Sequence, residues 1–196
     1  DDKGNFIATA LTDNYGKIWS LQFIYDEGFK KFFLNGKIKG CYSEFDNKNA
    51  EDLFVCEGLA TGLSILLAKP NSLVVIAYNC HNLKEVAGNI KTKYPQKKII
   101  IAGDNDLSKP NNIGKEKATQ AAQELGFDVA LPTFKDISSK PSDFDDLRQL
   151  EGIEEVKKQL INYQENKENQ EYQNWEAPIL FDNFETPEIP ADILPS

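Results

Sequence analysis

Leu53-Phe54-Val55-Cys56-Glu57-Gly58-Leu59-Ala60-Thr61-Gly62-Leu63-Ser64-Ile65-Leu66-Leu67-Ala68 is the stretch whose reading decides the fold. Leu53 to Cys56 is a short apolar run rich in strand formers, whereas Leu59, Leu63 and Leu66 follow helical spacing, so the period changes at Glu57-Gly58. A carboxylate therefore stands at the carboxyl end of a predicted strand, where open α/β sheets bind ligands. Gly58 allows a tight turn and the close approach of a substrate backbone or phosphate. An ordinary strand-to-helix turn, with Glu57 favouring the positive helix N-terminus, fits the same residues.

A second apolar strand, Lys97 to Ala102, ends in Gly103-Asp104-Asn105-Asp106. Residues two apart on an extended segment point the same way, so Asp104 and Asp106 can present both carboxylates to one cation. Hard oxygen ligands suit Mg2+, with Mn2+ as an alternative; Mg2+ binds through one or two carboxylates, keeps waters and takes phosphate oxygens. A third acidic group follows at Ser142-Asp143-Phe144-Asp145-Asp146. A helix cap with acidic first-turn residues explains it equally well.

Strand then Glu-Gly, strand then Asp-x-Asp, and a later Asp-x-Asp-Asp together resemble the TOPRIM domain shared by DNA primases, topoisomerases and some nucleases. Glu57 to Ser64, Tyr78-Asn79-Cys80-His81-Asn82-Leu83, and Ala102 to Asp106 with Asn112-Ile113-Gly114-Lys115 narrow it. They are similar to the TOPRIM primases of plasmids, satellite phages and integrated mobile elements, over residues 6 to 150. The resemblance implies a DNA primase: metal-dependent nucleotidyl transfer in which a 3′-hydroxyl attacks the α-phosphate of an NTP on a single-stranded DNA template. It implies Asp104, Asp106, Asp143 and Asp145 as metal ligands and Glu57 as general base or shared ligand. Gly58 and Lys115 would face the nucleotide, although Lys115 also reads as an exposed first-turn lysine. Bacterial replicative primases usually carry an acidic residue where this chain has Thr61, so one ligand is in doubt. A metal-dependent nuclease and a non-catalytic DNA- or partner-binding module remain the competing readings.

Composition sets outer bounds. The 196 residues suffice for one well-buried α/β domain plus extra elements. No apolar run approaches a membrane span and no signal peptide is visible, so a cytoplasmic location is expected. There is no Met, which reads as an excised fragment. Cys41, Cys56 and Cys80 form no metal-ligand spacing, and Cys56 reads as a small core residue. His81, the sole histidine, lacks a recognisable catalytic partner motif. Net charge is −9, but residues 151–196 hold 11 acidic and 3 basic side chains, leaving 31 − 11 = 20 acidic and 22 − 3 = 19 basic before them. Overall charge therefore does not decide the partner.

Four regions are expected: an N-terminal β-meander subdomain over 1–50, the TOPRIM unit over 51–150, a helix and polar linker over 151–174, and a Pro-containing lead-in over 175–196 to a helicase-like domain. Asp13-Asn14-Tyr15-Gly16, Asp26-Glu27-Gly28 and Asn35-Gly36 are the meander's turns, and Leu21, Phe23 and Tyr25 alternate with Gln22 and Ile24. Lys30, Lys31 and Lys37 interleave with aromatics, the pattern of a nucleic-acid contact or of a lysine-protected edge strand. From residue 51 onward strands alternate with helices, which predicts a Rossmann-like parallel sheet flanked by helices. Gly103 and Gly114-Lys115 lack Walker A spacing, which excludes a P-loop.

Overall fold

The computed structural model describes residues 4–45 and 49–161. The expected linker over 163–174 and lead-in over 175–196, with the helicase-like neighbour they imply, lie outside the described residues. Strands β5 (Asp52–Cys56), β6 (Leu73–Ile76), β7 (Lys98–Ala102) and β8 (Asp128–Ala130) are parallel, in the order β6-β5-β7-β8. Helix α1 (Leu59–Ala68) links β5 to β6, α2 (Leu83–Lys93) links β6 to β7, and α3 (Ile113–Leu125) links β7 to β8. The alternating strand-helix pattern thus yields the parallel sheet it predicts.

Helices on both faces explain why the central strands are continuous apolar runs rather than alternating ones. Phe54, Cys56, Val74, Ile76 and Ile100 face one core with Ile65 of α1, Phe144 and Leu147 of α4 (Phe144–Glu151), and Val156 and Leu160. Leu53, Val55, Val75, Ile99 and Ile101 face the other, with Val86, Ala87 and Ile90 of α2 and Ala118, Ala121 and Ala122 of α3. Residues 153–161 form a fifth helix, α5. Its Val156 and Leu160 bury into the first core, so the helix expected after residue 150 packs on the parallel-sheet unit.

The N-terminal sheet is antiparallel, β1 (Phe6–Thr12), β2 (Ile18–Tyr25) and β3 (Lys30–Phe32) in chain order. The segment β4 (Ser43–Phe45), expected within this meander, instead pairs antiparallel with β6 and forms the edge of the main sheet. The meander's inward face is also the opposite one from its apolar alternation. Leu11, Ser20 and Gln22 are buried, and Ile24 and Phe32 pack on the core, whereas Phe6, Phe23, Tyr25 and Phe29 form an aromatic cluster of their own. Tyr78, held at φ 70° just after β6, links the two sheets. Its hydroxyl bonds Ser43 and donates to Thr9 at 2.9 Å, and Phe32 stands edge-on to its ring.

Asn82, of a residue type favoured at helix N-caps, directly precedes α2. The cap of the preceding turn falls to Asn79, whose side chain accepts from the Asn82 N–H, and Asn82 makes no side-chain cap. Buried instead, Asn82 accepts from Gly40 N at 2.8 Å and donates to Ala77 O at 2.8 Å and Cys41 O at 3.1 Å. It thereby ties the chain leaving the meander to the end of β6. Among the described residues no helix is long and apolar enough to cross a membrane.

Replacing Asn82 by Ala strands several buried backbone groups, so Asn82→Ala is expected to lose about 2 to 4 kcal/mol in urea unfolding. A loss below about 0.5 kcal/mol, the range of an ordinary surface substitution, would contradict the pinning role.

Candidate active site

Parallel register decides which side chains meet. Cys56 pairs with Ala102 across β5 and β7, so the residues that follow each strand, Glu57 and Gly103-Asp104, emerge side by side at the carboxyl edge. Gly58 is the N-cap of α1 in extended conformation and supplies no side-chain hydrogen bond. The opening N–H groups of α1 therefore need other acceptors, the property that makes a helix start suit a phosphate. Gly114, in the first turn of α3, closes the other side. A Cβ there would lie 3.0 Å from Asp104 Cβ and 3.3 Å from Glu57 Oε1, so this close approach favours glycine.

Asn105, between the two aspartates, points the opposite way, as extended alternation requires. It is buried, donates to Pro132 O at 2.8 Å and accepts from Asn112 Nδ2 at 2.9 Å, while its own N–H reaches Ser142 O at 2.6 Å. Asn112 Oδ1 accepts from Asp106 N at 3.0 Å and caps α3 through Lys115 N at 3.3 Å. The Asp104–Asp106 loop is thus tied to the start of α3 and to the segment before α4. Sequence reading missed both asparagines; the inward position between two outward aspartates was the available signal for Asn105.

The acidic group before α4 divides its work. Asp143 is the N-cap, its Oδ1 accepting from Asp145 N and Asp146 N at 2.8 Å, with Asp146 completing the capping box. Its Oδ2 accepts from Thr61 Oγ1 at 3.0 Å, Thr61 being fully buried on α1. Asp145 is turned to a different task. It accepts from Ser64 Oγ at 2.7 Å, Arg148 Nη2 at 2.8 Å and Gln149 Nε2 at 2.7 Å, clasping α1 to α4. Asp143 contributes to the field at Glu57 and Asp104, whereas Asp145 is already fully engaged. Thr61 and Ser64 were not read as partners from the sequence because they meet α4 only through the fold, whereas Arg148, on α4 three residues after Asp145, is a local partner that the sequence reading missed.

The cluster carries the signature of crowded, half-buried carboxylates. Burial, with help from Asp106 and Asp143 and against a hydrogen bond with the Asp104 backbone, pushes Glu57 up to about 7. Burial, then Glu57, Asp143 and Asp106, pushes Asp104 up to about 8. Asp143 is also raised, first by burial and then by Asp146, against its helix-cap bonds. Asp145 lies below the usual range: burial works against it, but Ser64, Arg148 and Gln149 prevail. Burial and the neighbouring carboxylates push the Cys56 thiol well up, so Cys56 is a core residue and not a nucleophile.

Glu57 Oε1 and Asp104 Oδ1 are buried with no hydrogen-bond partner among the described residues. Buried polar atoms are nearly always satisfied, so two orphaned carboxylate oxygens at one strand edge fit a hard cation. Among the described residues no three His, Cys, Asp or Glu side chains form a ready-made metal cage. Mg2+ does not need one, since it completes its octahedron with water and phosphate oxygens. Lys115 is exposed on the first turn of α3. Lys30 and Lys31 lie on β3, and Lys37 follows it, 5.0 Å from the Trp19 ring centroid. These three belong to the separate N-terminal sheet and its exit. A cavity lined by Asp52, Lys69 and Ser72 opens at the amino ends of the strands, away from the carboxylates.

Residues 52–154 match the family model described as the Toprim domain. The chain is 35% identical over 142 residues to DNA primase TraC of Escherichia coli, a match covering 68% of this chain and 10% of that protein. The chain thus spans about a tenth of the length of that relative. Its fold matches the primase fragment of the bacteriophage T7 primase-helicase protein with a TM-score of 0.59 at 16% identity, covering 82% of this chain and 64% of that one. It also matches the DnaG primase catalytic domain bound to ssDNA with a TM-score of 0.53 at 14% identity, covering 85% and 56%.

A carboxyl whose pKa is raised in the folded state holds its proton more tightly there than in the unfolded chain. Without divalent cations, stability is therefore greatest below the unfolded-state pKa and falls as pH rises through the raised values of Glu57 and Asp104. Asp104→Asn removes part of that penalty and is expected to raise the Tm at about pH 8 in EDTA by about 4 °C, with little change at about pH 4. A variant no more stable than the native protein at the higher pH would contradict the assignment.

Proposed function

The chain belongs to the Toprim family, and from that premise we propose that it is the catalytic unit of a DNA primase. The observation that carries this reading is the pair of buried, partnerless carboxylate oxygens of Glu57 and Asp104, set at the carboxyl edge of a parallel sheet. Relatives named as DNA primases support the reaction class. The substrates proposed are nucleoside triphosphates and a single-stranded DNA template, in the setting of a plasmid, phage or integrated element.

In this reading Asp104, Asp106 and Asp143 hold Mg2+ or Mn2+, and Asp145 supports them from behind by fastening α4 to α1. Bound there, the cation neutralises phosphate charge and lowers the pKa of the attacking 3′-hydroxyl. Glu57, beside Asp104 at the same strand edge, would accept that hydroxyl's proton. Gly58 lets the nucleotide's phosphates approach the open start of α1, and exposed Lys115 lies on the adjoining α3 start. Lys30, Lys31 and Lys37 present positive charge beside exposed Phe29, Phe33 and Trp19, a surface suited to a phosphate backbone and stacked bases.

In the full-length protein, Glu57→Gln is expected to slow primer synthesis by about 100-fold or more, the scale of a lost general base, while single-stranded DNA binding stays unchanged. Primer synthesis at the native rate would overturn the role of Glu57.

A further inference from the structure

Lys109 is held at the carboxylate cluster by its own loop. Its Nζ lies 2.8 Å from Asp106 Oδ2, and its backbone N–H donates to Asp106 O at 3.2 Å. Pro110 restricts the Lys109 backbone to extended conformations, and Asn112 fixes the Asp106 end of the same loop at 3.0 Å. Its charge is felt beyond Asp106, at Glu57 and Asp104. Yet the side chain remains 65% exposed and open to solvent.

We propose that Lys109 is a nucleotide-phosphate-binding residue that rests on Asp106 in place of the divalent cation until nucleotide arrives. The inference depends on Asp106 being a metal ligand, as read above. An ammonium group is a compact point charge with three donors and serves readily as a phosphate contact. It cannot share one carboxylate oxygen with a divalent cation without repulsion. When cation and polyphosphate enter together, the cation takes Asp106 and Lys109 turns its charge to the phosphate oxygens. The exposed stem permits that swing, and the fixed backbone keeps its reach short.

Removing Lys109 therefore has opposite effects on two affinities. By electron paramagnetic resonance, Lys109→Ala in the full chain is expected to bind Mn2+ alone about two- to fivefold more tightly, the scale of one lost exposed ion-pair competitor. The same variant is expected to bind a non-hydrolysable NTP analogue, in saturating Mn2+, about threefold or more weakly, with Lys109→Arg restoring that affinity. If Asp106→Asn weakens Mn2+ binding but Lys109→Ala alters neither affinity, or weakens both, the inference about Lys109 is overturned and the metal reading stands. If Asp106→Asn leaves Mn2+ binding unchanged, the metal reading fails and takes this inference with it.

Discussion

Half-buried negative charge at one strand edge is the constraint on which the rest of the site depends. Glu57, Asp104 and Asp143 come from three separate segments, and each is pushed toward its neutral form first by burial and then by neighbouring carboxylates. Holding them together costs free energy, so the surrounding structure must fix them where they would otherwise move apart. Parallel pairing of β5 with β7 fixes the first two, and the N-cap of α4 fixes the third. Gly114 lets α3 close against both without a side chain in the way.

The supporting residues are mostly neutral donors. Thr61 donates to Asp143, Asn112 receives the Asp106 N–H, and Asn105 anchors the loop between the aspartates from below. A neutral hydroxyl at Thr61 steadies Asp143 without adding a further negative charge to a crowded place. Apart from Lys109 on Asp106, the charged contact is one step away, where Arg148 and Ser64 satisfy Asp145 and lock α4 onto α1. Position and charge are thus handled by different residues, leaving oxygens of Glu57 and Asp104 unpaired.

Much of this was legible in the chain because it depends on local grammar. The change of period at Glu57-Gly58, the Asp104-x-Asp106 spacing and the strand-helix alternation specify a parallel sheet with acids at its carboxyl edge. What escaped depends on contacts distant in sequence. Asn82 carries a helix-cap signature but is drawn inward by backbone groups of residues 38 to 41, which no local pattern announces. Asp143 and Asp145 look equivalent in sequence, yet Ser64, distant in the chain, takes only the second, joined by Arg148 from the next turn of the same helix. Ser43 to Phe45 read as part of the meander because β propensity says nothing about which sheet a strand joins. The meander's inward face follows Gln22, Ile24 and Phe32 rather than Leu21 and Phe23, since cross-strand partners and not alternation alone choose the face.

The account stands or falls on whether Asp104, with Asp106 and Asp143, takes up a divalent cation beside Glu57. Amide NMR spectra of the chain titrated with trace Mn2+ test this directly, because paramagnetic broadening is confined to the neighbourhood of a bound ion. The account predicts saturable broadening centred on Glu57, Gly58, Asp104, Asp106 and Asp143, displaced by excess Mg2+ and lost in the Asp104→Asn, Asp106→Asn double variant. Broadening that is absent there, or unchanged in the double variant, with nucleotide and single-stranded DNA both present, would contradict it.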